Sequence, residues 1–171
     1  IQQIEIPTPN RLVVRIPVRV LQTRVFFVDG EELELFRVSM DDDLALLRSK
    51  RMITPMKFHM LHDPVHVGDV VYVVNLEADI RGSEYGVHLL IGVVSSVDLG
   101  SNIYPDNKMR LSRFMISSAV SNGASGSAIF VRENGSYRYA GMISSVNFVN
   151  GVPRGVGIKH ETIKTFLGNE E

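Results

Sequence analysis

The feature that most constrains the fold is a series of short apolar segments, rich in β-branched residues, that turn residues separate. These segments are residues 12–17, 24–28, 33–38, 70–76, 88–97, 128–132, 138–145 and 156–158. Asp29-Gly30, Asn134-Gly135 and Asn150-Gly151 lie between or beside them and supply the positive φ angles that tight hairpin turns require. The pattern predicts an all-β protein whose strands pair as antiparallel hairpins.

Two other segments have a helical pattern. Residues 43–50 hold a short run of helix formers, and residues 160–167 place Ile163, Phe166 and Leu167 on one side, with Gly168 as a C-terminal stop. We therefore predict a helix in each segment, the second of which closes the domain. Many short antiparallel strands with one terminal helix indicate a barrel or a sandwich.

Composition and charge exclude several classes of protein. With 44% hydrophobic and 22% charged residues, the 171-residue chain is not disordered, collagenous or a coiled coil. Its formal net charge of −1 does not favour a nucleic-acid partner. Without cysteine it has no disulfide, cysteine-ligated zinc or cysteine nucleophile, and no apolar stretch reaches the ~18–20 residues of a transmembrane helix.

A serine bracketed by glycines is the sharpest local motif, at Gly123-Ala124-Ser125-Gly126. Both glycines allow sharp backbone turns, so the serine is expected to be presented to solvent directly before an apolar strand. The amides of Gly123 and Ser125 can then converge on one point and stabilise a tetrahedral oxyanion. The alternative is an ordinary turn rich in glycine and serine.

An acidic residue stands immediately before an apolar run at Asp43-Leu44-Ala45-Leu46-Leu47. A carboxylate held at the edge of a core can orient a histidine imidazole, which is the role of aspartate in a serine-histidine-aspartate triad. The alternative is a solvated acidic turn or a helix N-cap.

Several motifs in a fixed order resemble those of one family. They are the strand, turn and strand of residues 24–39, the D-L-A-L-L run at 43–47, V-G-D-V-V at 67–71, G-V-V-S at 92–95, G-A-S-G-S at 123–127, the strand at 139–144 and G-V-G-I at 155–158. In this order they resemble the trypsin-like serine peptidases, especially the disulfide-free HtrA/Deg-like bacterial branch and some viral processing proteases. The resemblance covers nearly the whole chain from Arg24 onward.

This resemblance implies an all-β fold of two antiparallel six-stranded-type barrels with a C-terminal helix. Residues 1–171 would form one peptidase domain, with the first barrel at about 1–55, apparently incomplete at its N-terminus. The second barrel would occupy 56–158, and the helix and tail 159–171.

The resemblance also implies the role of each site residue. Ser125 would be the nucleophile, Asp43 the residue that orients the base, and the amides of Gly123 and Ser125 the oxyanion hole. The substrate-binding residues would be Ala119, Val120, Ser144, Ser145, Val146 and Gly155. Because that set has no acidic residue, we expect a polypeptide substrate with a small or medium aliphatic side chain before the scissile bond. We expect no cofactor.

The general base has no evident candidate. The family's histidine falls near residues 15–19, which hold arginine, isoleucine, proline and valine, and no histidine precedes His59. Arginine stays protonated and cannot accept a proton. Three explanations remain open: residues are missing from the sequence before the first strands, the chain is a protease-fold module that has lost its base, or a later histidine folds into the site.

Three functions are therefore compared. The first is a serine endopeptidase, and the second is an inactive module that binds peptides or protein partners along residues 144–146 by strand addition. The third is a structural β-barrel in which Ser125 is a turn residue. His59, His62 and His66 with Asp63 have a spacing compatible with a metal site, but Pro64 prevents a helical face, so we expect a solvated loop and no metal. Compartment and oligomeric state stay open.

Overall fold

The computed structural model describes residues 2–7, 13–18, 25–26, 32–49, 58–78, 85–100, 107–121 and 123–168. The strands are β1 (Gln2–Pro7), β2 (Val13–Val18), β3 (Val25–Phe26), β4 (Glu32–Ser39), β5 (Leu44–Arg48), β6 (His59–Met60), β7 (Val70–Ala78), β8 (Tyr85–Ser96), β9 (Arg113–Ile116), β10 (Ala128–Glu133), β11 (Ser136–Val149) and β12 (Val152–Lys159). The helices are α1 (Asn107–Leu111) and α2 (His160–Leu167). The fold is mostly β, as the sequence predicts. No helix in these ranges is long and apolar enough to cross a membrane.

The chain divides into two compact units. One consists of Ile1–Leu35 and Leu47–Ile53, and the other of Phe36–Leu46 and Thr54–Glu171. In the first unit, β1 and β2 form an antiparallel pair in which Gln2 lies opposite Val18, and β3 pairs with the start of β4. Strand pairing among the described residues closes one barrel, which lies in the second unit, so the double-barrel expectation is met only in part.

The barrel consists of six antiparallel strands in the order β7, β8, β9, β12, β11, β10, and β10 pairs back onto β7 to close it. The two-residue strand β6 adds to β11 in parallel. The interior is filled by apolar side chains that are almost fully buried, among them Val71, Val73, Val94, Phe114, Ile116, Ile129 and Ile143. Because closure of this core requires every strand, the barrel is the rigid base for the loops at its ends.

The turn chemistry of the sequence is confirmed at two hairpins. Asn134 and Gly135 join β10 to β11 with φ angles of 49° and 81°, and Asn150 and Gly151 join β11 to β12 with 52° and 77°. Two consecutive positive φ angles match the right-handed twist of the flanking strands, and asparagine-glycine pairs adopt them at little cost. The predicted turn at Asp29-Gly30 lies outside the described residues.

One secondary-structure prediction is wrong. Residues 43–50 were expected to be helical, but Leu44–Arg48 forms the strand β5. The side chain of Leu44 is buried in a cluster with Tyr139, Ile158 and Ile163, which belong to β11, β12 and α2. Burial in this cluster outweighs the weak helical preference of a short leucine-rich run. The prediction of α2 at residues 160–167 is confirmed.

Stability is expected to fall at alkaline pH because Tyr139 is buried in the same cluster. Burial raises the pKa of its phenol from 10.0 to about 12. Since the folded-state pKa lies above the unfolded value, the contribution is complete below pH 10 and is lost as the pH rises towards 12. Urea unfolding followed across this range measures the loss. The Tyr139→Phe variant should lose less stability over the same interval, and an identical slope in both proteins would contradict the assignment.

Candidate functional site

The serine loop, residues 123–127, is fixed to β11 by two main-chain hydrogen bonds. The Gly126 amide donates to the Ile143 carbonyl at 2.8 Å, and the Ile143 amide donates to the Ser127 carbonyl at 2.9 Å. Gly126 has a φ of 87°, a conformation in which any side chain would be strained. The side chain of Ser125 is consequently held on the surface, as the motif predicts.

Two amides of the serine loop remain open. The Ala124 amide donates to Ser121 O at 3.2 Å and the Ser127 amide to Ala124 O at 3.0 Å. Within the described part of the chain, no acceptor is recorded for the amides of Gly123 and Ser125. Both residues are exposed, so these two donors remain the candidate oxyanion hole.

Ser144 connects the two residues that the sequence singled out. The Ser125 hydroxyl donates to the Ser144 carbonyl oxygen at 3.2 Å. The Ser144 hydroxyl in turn donates to Asp43 Oδ2 at 2.8 Å. Ser125 and Asp43 therefore lie on either side of one residue of β11, although Asp43 and Ser144 are 101 residues apart in the chain. The sequence placed Ser144 in a substrate pocket and gave no sign of this connecting role.

The turn that carries Asp43 is tightly held. Asp43 has a φ of 57°, which is uncommon for a residue with a side chain but tolerated by aspartate. Ser39 Oγ donates to Asp42 Oδ2 at 2.7 Å and accepts a bond from the Asp42 amide at 3.2 Å. Lys108 Nζ lies 3.4 Å from Asp42 Oδ1, and Arg113 Nη2 donates to the Asp42 carbonyl oxygen at 3.3 Å. These contacts fix the backbone on which the Asp43 carboxylate stands.

Arg113 is expected to matter for stability far more than a surface arginine. Its side chain is 1% exposed, and it bridges the start of β9 to the Asp42 carbonyl. Arg113→Met would leave that carbonyl without its donor and should lower the free energy of unfolding by about 1–3 kcal/mol. Arg110→Met removes an ion pair with Asp98 whose Nε–Oδ1 distance is 3.0 Å and whose side chains are partly exposed, and should cost under about 1 kcal/mol. Denaturant unfolding compares them, and equal losses would contradict the role of Arg113.

A cavity of about 470 Å³ opens beside the serine loop. It is lined by Val74, Asn75, Gly123, Ser125, Gly126, Ser127 and Ala128. Ser127 Oγ donates to Asn75 Oδ1 at 2.9 Å, and Asn75 is 1% exposed. Asn75 therefore ties the serine loop to β7 and was missed by sequence reasoning. The only indication in the sequence is that Asn75 is a polar residue at the end of a valine-rich run.

Three of the predicted substrate-binding residues are neighbours in the fold, and the members of the set differ in exposure. Val146 is the Cα partner of Gly155 across β11 and β12, and a Cβ on Gly155 would lie 3.2 Å from Val120 Cγ1. Val120 is buried, whereas Ala119 is exposed. Ser144 and Ser145 stand at a register shift in β11 and are half-buried. Val120, Val146 and Gly155 are thus neighbours in the fold.

None of the five histidines, all of which lie in described ranges, forms a hydrogen bond with Ser125 or Asp43. His59, His62, His66 and His88 are exposed. His160 is buried, and its Nδ1 lies 3.2 Å from Glu161 Oε2 at the start of α2. The third explanation for the base, a later histidine folded into the site, has no support in this geometry. In the described ranges, no three histidine, aspartate or glutamate side chains group as metal ligands would.

Sequence comparison does not assign the chain to a family. No protein-family model matches it. No curated protein matches it either.

Proposed function

We propose that the chain is the peptidase domain of a trypsin-like serine endopeptidase, with Ser125 as the nucleophile. The observation that carries the proposal is the chain of contacts from the exposed Ser125 hydroxyl through Ser144 to the Asp43 carboxylate. The six-stranded barrel corresponds to the second barrel of that architecture. The first barrel would be built from residues 1–55.

The proposed reaction uses the groups in the following way. The Ser125 oxygen forms a bond to the substrate carbonyl carbon as a base takes the hydroxyl proton. The negative charge on the carbonyl oxygen is stabilised by the amides of Gly123 and Ser125. The protonated base then gives the proton to the leaving amine, and water releases the acyl group by the reverse sequence. Asp43 stabilises the protonated base.

The substrate would be an extended polypeptide. Its main chain would pair with residues 144–146 of β11, which the strand conformation of this segment supports. The side chain before the scissile bond would lie next to Val120, Val146 and Gly155. We expect a small or medium aliphatic group there because these residues are uncharged.

The mechanism requires an imidazole beside Asp43. None of the five histidines occupies that position, so we propose that a part of the parent protein outside this sequence supplies it. An inactive module that binds peptides along residues 144–146 is the second candidate. It is favoured by the same observation, the lack of a histidine next to Asp43 in the described residues.

A fluorophosphonate, which reacts with activated serines, separates the two candidates. The chain is incubated with the reagent in the presence and absence of free imidazole, which can replace a missing histidine base. Intact mass and peptide mapping then report adducts. Imidazole-dependent labelling at Ser125 that increases with pH as the added imidazole loses its proton supports the peptidase. Labelling that stays absent with imidazole, combined with peptide binding, would establish the inactive module.

A further inference from the structure

Among the residues that the structure describes, one side of β8 has few pairing partners. β8 pairs with the whole of β7, from Tyr85 opposite Ala78 to Val93 opposite Val70. On its other side, β9 pairs only with Val94 and Ser96. Ser117 extends this contact by one residue, since its amide donates to Val93 O at 2.8 Å and its hydroxyl accepts from the Val93 amide at 2.9 Å. Residues 85–92 therefore extend beyond the neighbouring strand.

The direction of the main-chain groups on this side follows from strand alternation. The Val94 amide and carbonyl bond to Asp69 O and Gly68 N, which face β7, whereas those of Val93 face the β9 side. Successive residues of a strand direct their main-chain groups to opposite sides. Val87, Leu89 and Ile91 therefore direct theirs to the open side. In the ranges that the structure describes, no hydrogen-bond partner is recorded for them there.

The side chains at the open side are apolar and exposed. Val87 is 76%, Leu89 59% and Ile91 62% exposed. They continue into an apolar surface across β7 and the hairpin of β10 and β11. There a cavity of about 380 Å³ is lined by Tyr72, Val74, Leu89, Phe130 and Tyr137. Contiguous exposed apolar surfaces are typical of interaction sites.

The open side of β8 also has none of the features that usually prevent pairing. Residues 85–96 contain no charged residue and no proline, and the register shift of β8 lies at Val94 and Ser96, beyond the open stretch. Consecutive rather than alternating apolar residues fill residues 70–74 and 89–94, except for Gly92. This pattern is typical of strands that are covered on both faces. The sequence of β8 thus has nothing that would prevent a further strand from pairing along its open side.

We propose that β8 pairs with β8 of a second copy of this chain, antiparallel about a two-fold axis at Leu89. In that register Leu89 faces Leu89 of the second copy, and Val87 faces Ile91. Each of these pairs joins residues whose main-chain groups point outwards, so all of them can exchange hydrogen bonds. The pairs Leu89–Leu89 and Val87–Ile91 are aliphatic, His88 faces Leu90 in the same register, and no pair brings like charges together. A sequence that matches itself in this way meets the condition for a two-fold symmetric interface.

The test measures the molar mass of the intact chain in solution over a range of concentrations. We expect a dimer, and we expect Leu89→Lys to raise its dissociation constant at least about 100-fold, because two buried leucines are lost and two lysines are placed opposite each other. Val87→Lys provides a second variant at a more exposed position. Val152→Lys is the matched control, since Val152 is 50% exposed on β12 and outside the interface. Circular dichroism confirms that each variant is folded.

The possible results separate clearly. Loss of the dimer in both β8 variants, with the Val152→Lys dimer intact, supports the proposal. A chain that stays monomeric at every concentration overturns it, as does a dimer that neither β8 variant weakens. Binding of an extended apolar peptide to a monomeric chain, weakened by Leu89→Lys, would also overturn it and identify a different occupant. No outcome depends on whether Ser125 is catalytic.

Discussion

Replacement of Ser125 by alanine is expected to abolish imidazole-dependent labelling by a fluorophosphonate, whereas Ser127→Ala should retain it. The two serines belong to the same loop, but their hydroxyl groups differ in environment. Ser125 is exposed and bonds to the Ser144 carbonyl oxygen, and Ser127 donates to the buried Asn75. Loss of a nucleophile commonly lowers the rate by a factor of about 10³ or more. Intact mass spectrometry measures the rate as the fraction of chain modified over time.

The Asp43→Asn variant tests the role of the carboxylate in the same fluorophosphonate labelling experiment. Asparagine keeps the size of the side chain and can still accept a bond from the Ser144 hydroxyl, but it does not stabilise an imidazolium. The imidazole-dependent rate should therefore fall, while the thermal stability stays close to that of the parent chain. Labelling that maps to Ser127, or that persists in Ser125→Ala, would contradict the assignment of the nucleophile. An undiminished rate in Asp43→Asn would remove Asp43 from the mechanism and leave Ser125 in place.

Gly141→Ala is expected to be the most destabilising single methyl addition in the barrel. A Cβ at this position in β11 would lie 2.1 Å from the main-chain oxygen of Ile158 and 3.1 Å from Phe114 Cε1. The Ile158 oxygen belongs to the neighbouring strand β12 and the Phe114 ring is fully buried, so neither atom can move without disturbing the barrel. We expect a loss of about 3 kcal/mol or more in the free energy of unfolding, at the upper end of overpacking effects.

Gly86→Ala is the matched control for this substitution. Its Cβ would approach only the Nε2 end of the His88 side chain, at 3.0 Å, and an exposed side chain can turn away. We expect a change of under about 1 kcal/mol. Urea unfolding measures the free energy of unfolding of both variants, which can be compared directly if the dependence on urea concentration, m, is the same in both. Equal stability of the two variants would show that β11 and β12 can separate locally, contrary to the packing seen around Gly141.

The sequence predicts best where local chemistry decides the structure. Asn134-Gly135 and Asn150-Gly151 place two hairpins because their backbone preference matches the turn itself. Strand β9 was missed, since its four residues begin with an arginine and are all buried, so no alternation is visible. Arg113 also departs from the general exposure of charged residues, because Nη1 bonds to Ser112 Oγ and Nη2 to the Asp42 carbonyl oxygen inside the fold. A short segment that is buried on both sides carries no periodic signal.

In the candidate site, too, the local motifs could be predicted from the sequence, and the contacts between strands could not. Ser125 and Asp43 each stand in a recognisable local motif, and the structure brings both to Ser144. The contribution of Ser144 itself depends on the register of β11 and on the shift between Ile143 and Ser145. A register is a property of two strands together, so one sequence segment cannot reveal it. The same limit applies to the side of β8 along which the described residues pair only near Val94 and Ser96.

Because the barrel closes through strands that are made at different times, the serine loop is completed late in synthesis. β10 follows the serine loop directly and pairs with β7, which was made much earlier, and with β11, which is made later. The loop takes its shape from bonds to Ile143, which in turn lies opposite Gly157 of β12. Contacts between such distant segments form slowly. The surroundings of Ser125 are therefore complete only when β12 has been made and has paired with β11.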